Sequence, residues 1–294
     1  MESNNHHIQD DEFRVLGTGS PLPVDHGDEQ RRRNRLIAWV SLAIVALLGL
    51  AMVVFWPRFE ASDDVEGVFE SRSEAEAFHL LDTLATDSPC VVKRDTLVSG
   101  HLLKLFIPHR ASARLVVGDL SEEDRKAVMA FQAADIRADN HEILGEFVLS
   151  GEQLATGVSK KGYCAIMDGK VSVGVGESTP LLAECVANSG YFFRQYPLVD
   201  GGEPVMNKPR NSTVRKALCE MNGEVFVAVS AEKLTLDEFA TMLADFGVDN
   251  AIYLIGSDFA YGWSVDKDGR REEFGDEDRR PEYRKQSYIL YFPI

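Results

Sequence analysis

Three segments combine the residue types and spacings that catalysis or anion binding requires. The first is Asn188-Ser189-Gly190-Tyr191-Phe192-Phe193-Arg194, where Asn188 offers an amide, Gly190 lets a ligand approach the main chain, and Tyr191 supplies an aromatic face for a sugar. Arg194 adds a cation at the end of the segment, and Phe192 and Phe193 read as core. The second is Val214-Arg215-Lys216-Ala217, two cations opening a strand; alternation sends them to opposite faces, so one of them faces a site. Arg215 is the better anion ligand, because its planar fork binds an oxyanion through two parallel hydrogen bonds. The third runs from Leu254 through Gly256, Ser257 and Asp258 to Gly262, an apolar strand that empties into a glycine-containing loop. A carboxylate at such an exit, here Asp258, is placed to act as nucleophile or base.

Other chemistries find little support. Gly174 and Gly176 form a G-x-G without the further glycine of a dinucleotide loop, and there is no Walker loop and no G-x-S-x-G, so no cofactor is expected. The seven histidines contain no H-x-x-x-H pair and the four cysteines no C-x-x-C, which argues against a zinc hydrolase and a thioredoxin motif; no metal is expected. A formal net charge of −16 over 294 residues disfavours nucleic acid as a partner, since phosphate neutralisation needs a basic face.

The elements that hold these segments can be read along the chain. Ser71 opens a capping box with Glu74, predicting a helix through Leu84. Val91 to Val98, His101 to Pro108 and Ala113 to Val117 read as strands, and Ser121 to Ala134 as a further helix. From Gly145 the pattern changes to short β runs. Hairpins are predicted at Asp168-Gly169, Asn222-Gly223 and Asp268-Gly269, with helices at Pro180 to Ala187 and from Thr235 to Gly247. NAIYLIG reads as a buried strand, and SYILYF closes the chain. The expectation is an α+β fold: a mixed or antiparallel β-rich domain with a few helices. Residues 57–150 form a small α+β portion and 145–294 the main domain.

Ahead of these lies a membrane segment. Leu36 to Trp56 is uncharged throughout, and a helix of that length, at about 1.5 Å per residue, spans a hydrocarbon core of roughly 30 Å. Arg31, Arg32, Arg33 and Arg35 precede it, while Glu60, Asp63, Asp64 and Glu66 follow, so the positive-inside rule places residues 1–35, a polar tail that reads as disordered, in the cytoplasm. No A-x-A-like cleavage site follows the span, which reads as an uncleaved single anchor. The domain beyond it faces outward, into the periplasm if the source is a diderm bacterium. Cys90, Cys164, Cys185 and Cys219 are an even number, which permits three complete disulfide pairings in such a space.

In order and spacing, the three segments resemble the phosphodiester glycosidase family, whose pattern is N-G-G-F-F-D, then R-x-A with a hairpin and an amphipathic helix, then N-L-D-G-G-G-S. Here these read NSGYFF, RKALCEMNGEVFVAVSAEKLTLDEFATMLADFG and YLIGSDFAYG, so the similarity covers about residues 145–294. Asn188, Gly190, Arg215 and Gly256 match. Ile255 and Phe193 stand where the family has aspartates, and Ser189 and Ser257 where it has glycines. The resemblance implies an outward-facing protein that hydrolyses a sugar 1-phosphodiester in a glycan or glycolipid, with Asp258 replacing the missing carboxylates and Asn188 and Arg215 assisting. Gly190, Tyr191, Arg194, Gly256 and Ser257 would line the substrate. Expulsion of a phosphate monoester needs little general-acid help and much anion binding. The alternative is an inactive binding or scaffold protein of the cell envelope that holds an anionic glycan or a protein partner on the same surface.

Overall fold

The computed structural model describes residues 87–276 and 284–294, all within one compact unit that extends from Glu74 to Ile294. The tail, the apolar segment 36–56 and the helix expected from Ser71 lie outside the described residues. Among the described residues, no helix is long and apolar enough to cross a membrane.

The chain opens with a hairpin, β1 (Cys90–Val98) and β2 (His101–His109), followed by β3 (Ala111–Val117), one 3-10 turn at Asp124–Lys126 and β4 (Met129–Gln132). Two further hairpins are β5 (Phe147–Leu149) with β6 (Glu152–Ala155) and β7 (Gly162–Met167) with β8 (Lys170–Val175). Helix α1 (Pro180–Ala187) leads into β9 (Tyr191–Gln195), β10 (Pro197–Asp200) and β11 (Glu203–Pro204). Then come β12 (Thr213–Met221), β13 (Glu224–Leu234), helix α2 (Leu236–Phe246), β14 (Asn250–Leu254), β15 (Gly262–Val265), β16 (Arg271–Phe274) and β17 (Ser287–Pro293). The architecture is the expected β-rich α+β type.

The strands form three sheets. The first has the order β1-β2-β13-β12-β14-β10-β11, the second β16-β15-β4-β17-β3 and the third β6-β5-β9-β7-β8. Strands from before and after residue 145 share two of them: β2 pairs antiparallel with β13, and β17 lies between β3 and β4. One face of the first sheet is covered by α2, whose Phe239, Leu243 and Phe246 join Leu103, Leu105 and Phe226 in a buried cluster. The other face packs on the second and third sheets through Ile252, Leu254, Phe131, Phe147 and Phe193. β14 serves both clusters, with Ala251 in one and Ile252 in the other, which explains its almost unbroken apolar sequence.

The end signals work as their chemistry requires. Thr235 and Glu238 form a reciprocal capping box, and Gly247 closes α2 with φ of 97°. Thr179 caps α1, with Pro180 at its first position. The stretch Ser121 to Ala134, however, is not a helix. Ser121 and Asp124 bond to each other through side chain and backbone, closing a single turn. The apolar run that follows becomes β4, with Met129, Ala130 and Phe131 all buried between β15 and β17. A short continuous apolar run carries no period to separate helix from central strand. The four cysteines are all buried free thiols, with none of the permitted pairings formed.

Candidate functional site

Arg215 lies where β12 and β13 lose register. Val214 pairs with Lys233 but Lys216 with Val229, so β13 bulges opposite Arg215. Ser230 fills the bulge: its hydroxyl accepts the Arg215 amide at 2.8 Å and donates to the Glu232 carbonyl at 2.7 Å. The guanidinium is buried, with Nε donating to the Leu234 carbonyl at 2.8 Å and Nη2 to that of Asn211. Its carbon sits 5.7 Å from the ring centre of Tyr253, on neighbouring β14. The Tyr253 hydroxyl accepts the Gly256 amide at 2.9 Å. A Cβ at Gly256 would collide with the Val214 carbonyl and the Tyr253 hydroxyl, so glycine is required for that approach. Two of the matching residues, Arg215 and Gly256, therefore meet through Tyr253. Burial raises the Tyr253 pKa, against the lowering effects of the Gly256 amide and the Arg215 charge.

Beside Tyr253 stands a second polar group. Lys160, buried, donates to one oxygen of Asp135 and, at 2.9 Å, to Gln195 Oε1. Gln195 Nε2 donates to the other Asp135 oxygen at 3.1 Å and, more loosely at 3.3 Å, to the Ala133 carbonyl. The ammonium also lies 4.2 Å from the ring centre of Tyr196. Burial lowers the Lys160 pKa, opposed by the Asp135 charge. The Tyr196 pKa is raised, first by burial and then by the charge of Asp135, which also acts on Tyr253.

All three sheets contribute here. Asp135 follows β4 of the second sheet, Lys160 precedes β7 and Gln195 ends β9 of the third, and Arg215 and Tyr253 belong to the first. The Ile255 amide bonds to the Gln132 carbonyl at 3.1 Å, tying β14 to β4 at this point. Next to the cluster is a pocket of about 310 Å³ lined by Val158, Ser159, Lys160, Lys161 and Glu177. Lys160 is shared between pocket and cluster.

Of the other residues singled out by sequence, Ser257 borders the cluster beside Gly256, Arg194 lies behind the pocket against the carbonyls of Lys161 and Glu177, and the rest fall elsewhere. Asn188 is exposed at the end of α1, its amide donating to the Glu184 carbonyl at 2.9 Å. The length of β9, four steps of 3.3 Å or roughly 13 Å from Tyr191 to Gln195, separates it from Gln195. Gly190 packs where a Cβ would come 2.8 Å from the Ile166 carbonyl, and Tyr191, half-buried, packs against the core. Arg194 is fully buried, bonded to Glu146 at 2.7 Å and to the carbonyls of Gly176 and Glu177. Ser257, with φ of 78°, donates its amide to the Val214 carbonyl at 2.8 Å. Asp258 is on the surface, its side chain 53% exposed, 3.5 Å from Lys233. Lys216, on the face opposite Arg215, is buried and donates to the Ala260 carbonyl at 2.9 Å. Among the described residues, no group of three His, Cys, Asp or Glu side chains stands ready to hold a metal.

Sequence reasoning missed Asp135, Lys160, Gln195 and Tyr253. The only local sign was Asp135 and Lys160 standing just outside predicted apolar runs, which many surface residues also do.

No family model matches the chain, and no curated protein matches it in sequence. Solved structures do match. The catalytic domain of zebrafish N-acetylglucosamine-1-phosphodiester alpha-N-acetylglucosaminidase, auto-inhibited by its pro-peptide, aligns with a TM-score of 0.51 at 14% identity, over 70% of this chain and 83% of that one. A hypothetical protein from Synechocystis aligns with a TM-score of 0.46 at 14% identity, over 71% of this chain and 64% of that one. The chain thus shares a fold, at a distance, with the catalytic domain of a phosphodiester glycosidase.

Proposed function

We propose that the chain is a membrane-anchored protein whose outward-facing domain hydrolyses a sugar 1-phosphodiester in a glycan or glycolipid. The observation that carries this reading is the meeting of Arg215 and Gly256 through Tyr253, beside the Lys160 and Asp135 pair. Two carbonyls hold the guanidinium, so its charge is oriented before any ligand arrives. A buried arginine and lysine give an anionic phosphodiester a preorganised field, and fixed charge in a water-poor corner is worth more than in bulk water. The adjoining pocket, about 310 Å³, is near the lower limit for small-molecule sites and suits one sugar unit. In this reading residues 36–56 anchor the protein, with residues 1–35 in the cytoplasm.

One observation favours a receptor over a hydrolase. Phe193, at a position where the glycosidase pattern has an aspartate, is fully buried in the core, and Ile255 is apolar at the other such position. The same corner would then bind an anionic glycan without cleaving it.

The test uses the full chain in detergent and a panel of sugar 1-phosphodiesters. Release of free sugar together with a phosphate monoester establishes the hydrolase. Binding of these compounds by calorimetry without release establishes the receptor, and neither release nor binding sinks both.

A further inference from the structure

Resting on the hydrolase reading, we propose that Asp135 is the carboxylate that activates water at this site, replacing the two motif aspartates that the sequence lacks. Of the acidic side chains considered above, it is the one joined to the polar cluster. Lys160 and Gln195 each hold one of its oxygens, and its charge acts on both Tyr196 and Tyr253. Its backbone is fixed as well: the Asp135 carbonyl accepts the Leu144 amide at 2.8 Å, and Ile136 bridges to Ile143 directly after it. The side chain is 27% exposed, so it is oriented from within and still reached by solvent. Asp258, by contrast, is 53% exposed and meets the surface cation Lys233.

The residues define a step. With the sugar in the pocket beside Lys160, Asp135 takes a proton from a water molecule as that water's oxygen bonds to C1. The bond between C1 and the phosphate oxygen breaks, and its electron pair leaves with the phosphate monoester, which needs no proton to depart. Lys160 and Arg215 offset the added negative charge. Asp135 then releases its proton to solvent, and the free sugar appears with inverted configuration at C1.

The experiment compares the full-length wild type with Asp135→Asn on whichever substrate the panel identifies. Loss of a general base lowers turnover by about 10²- to 10⁴-fold. We expect that fall in kcat with binding changed only a few-fold, and inverted product by NMR. Asp135→Asn leaves Lys160 buried without its anion, so Asp135→Asn/Lys160→Met, which neutralises both partners, serves as the second variant should the first not fold. Azide added to Asp135→Gly should form a sugar azide of inverted configuration, an outcome that a merely structural carboxylate does not give. Wild-type turnover that survives in Asp135→Asn, or in the double variant, overturns the assignment and leaves the hydrolase reading standing, as does loss confined to Asp258→Asn or a retained product configuration. A wild type that cleaves nothing removes the hydrolase reading and this assignment together.

Discussion

Arg215 and Lys216 stand side by side on β12 and are both buried, on opposite faces of the first sheet. Arginine stays charged in either setting, whereas a lysine ammonium can lose its proton. Burial between Phe131 and Phe274 lowers the Lys216 pKa from 10.5 to about 8, with the charge of Asp258 opposing the shift. Below pH 8 both folded and unfolded chains hold the proton, and the folded state carries the full cost of the buried charge, about 3 kcal/mol. Between pH 8 and 10.5 the unfolded chain binds more protons than the folded one, so stability rises with pH across that window. Replacing the lysine by methionine removes the charge and keeps the volume, while losing a hydrogen bond to the Ala260 carbonyl worth about 1 kcal/mol. Lys216→Met should therefore stabilise the protein by about 2 kcal/mol at pH 7, with the gain fading above pH 8. Denaturant unfolding at pH 7 and pH 10 measures it; equal stability of variant and wild type at pH 7 would show that the buried ammonium is not penalised.

At the level of elements, the sequence was most legible where a short-range signal fixes the backbone. The Asp-Gly and Asn-Gly turns, the Thr235 capping box and the Gly247 stop all form where their chemistry places them, because each depends on a few neighbouring atoms. The run from Val128 to Ala134 was not legible, since only the sheets around it decide that it is a central strand. Two further signals are visible only with the backbone in hand. Ser189 and Ser257, where the glycosidase pattern has glycines, adopt φ of 55° and 78°, the left-handed region that costs an L-residue about 1–2 kcal/mol. The backbone at these positions adopts a conformation that suits glycine although serine occupies them. Ser189→Gly relieves that strain but gives the unfolded chain more freedom, so a net gain of about 0.5–1 kcal/mol is expected. A thermal midpoint that falls on this substitution would show that Ser189 is held by contacts stronger than its strain.

For the molecule as a whole, the site was half legible because its parts come from different sheets. Arg215 and Gly256 stood out through local pattern, yet Asp135, Lys160 and Gln195 converge from separate strand ends, and nothing within a few residues of any of them encodes that meeting. The same weaving bears on what can fold alone. Cutting at residue 145 removes β1 to β4, and with them the partner of β13 along one edge and both partners of β17. Buried strands with unpaired amides are costly and aggregate through their open edges. It would also remove Asp135 and open the cluster of Phe131, Leu115 and Val91 that packs against Ile252 and Ile289. A fragment spanning 87–294 keeps every strand described here, and should give one cooperative thermal transition by circular dichroism. A fragment spanning 145–294 should be insoluble or melt without a transition, although the three segments that resemble the glycosidase pattern all lie within it. Cooperative unfolding of that shorter fragment would mean that the first four strands are an appendage to the sheets and not part of the folding unit.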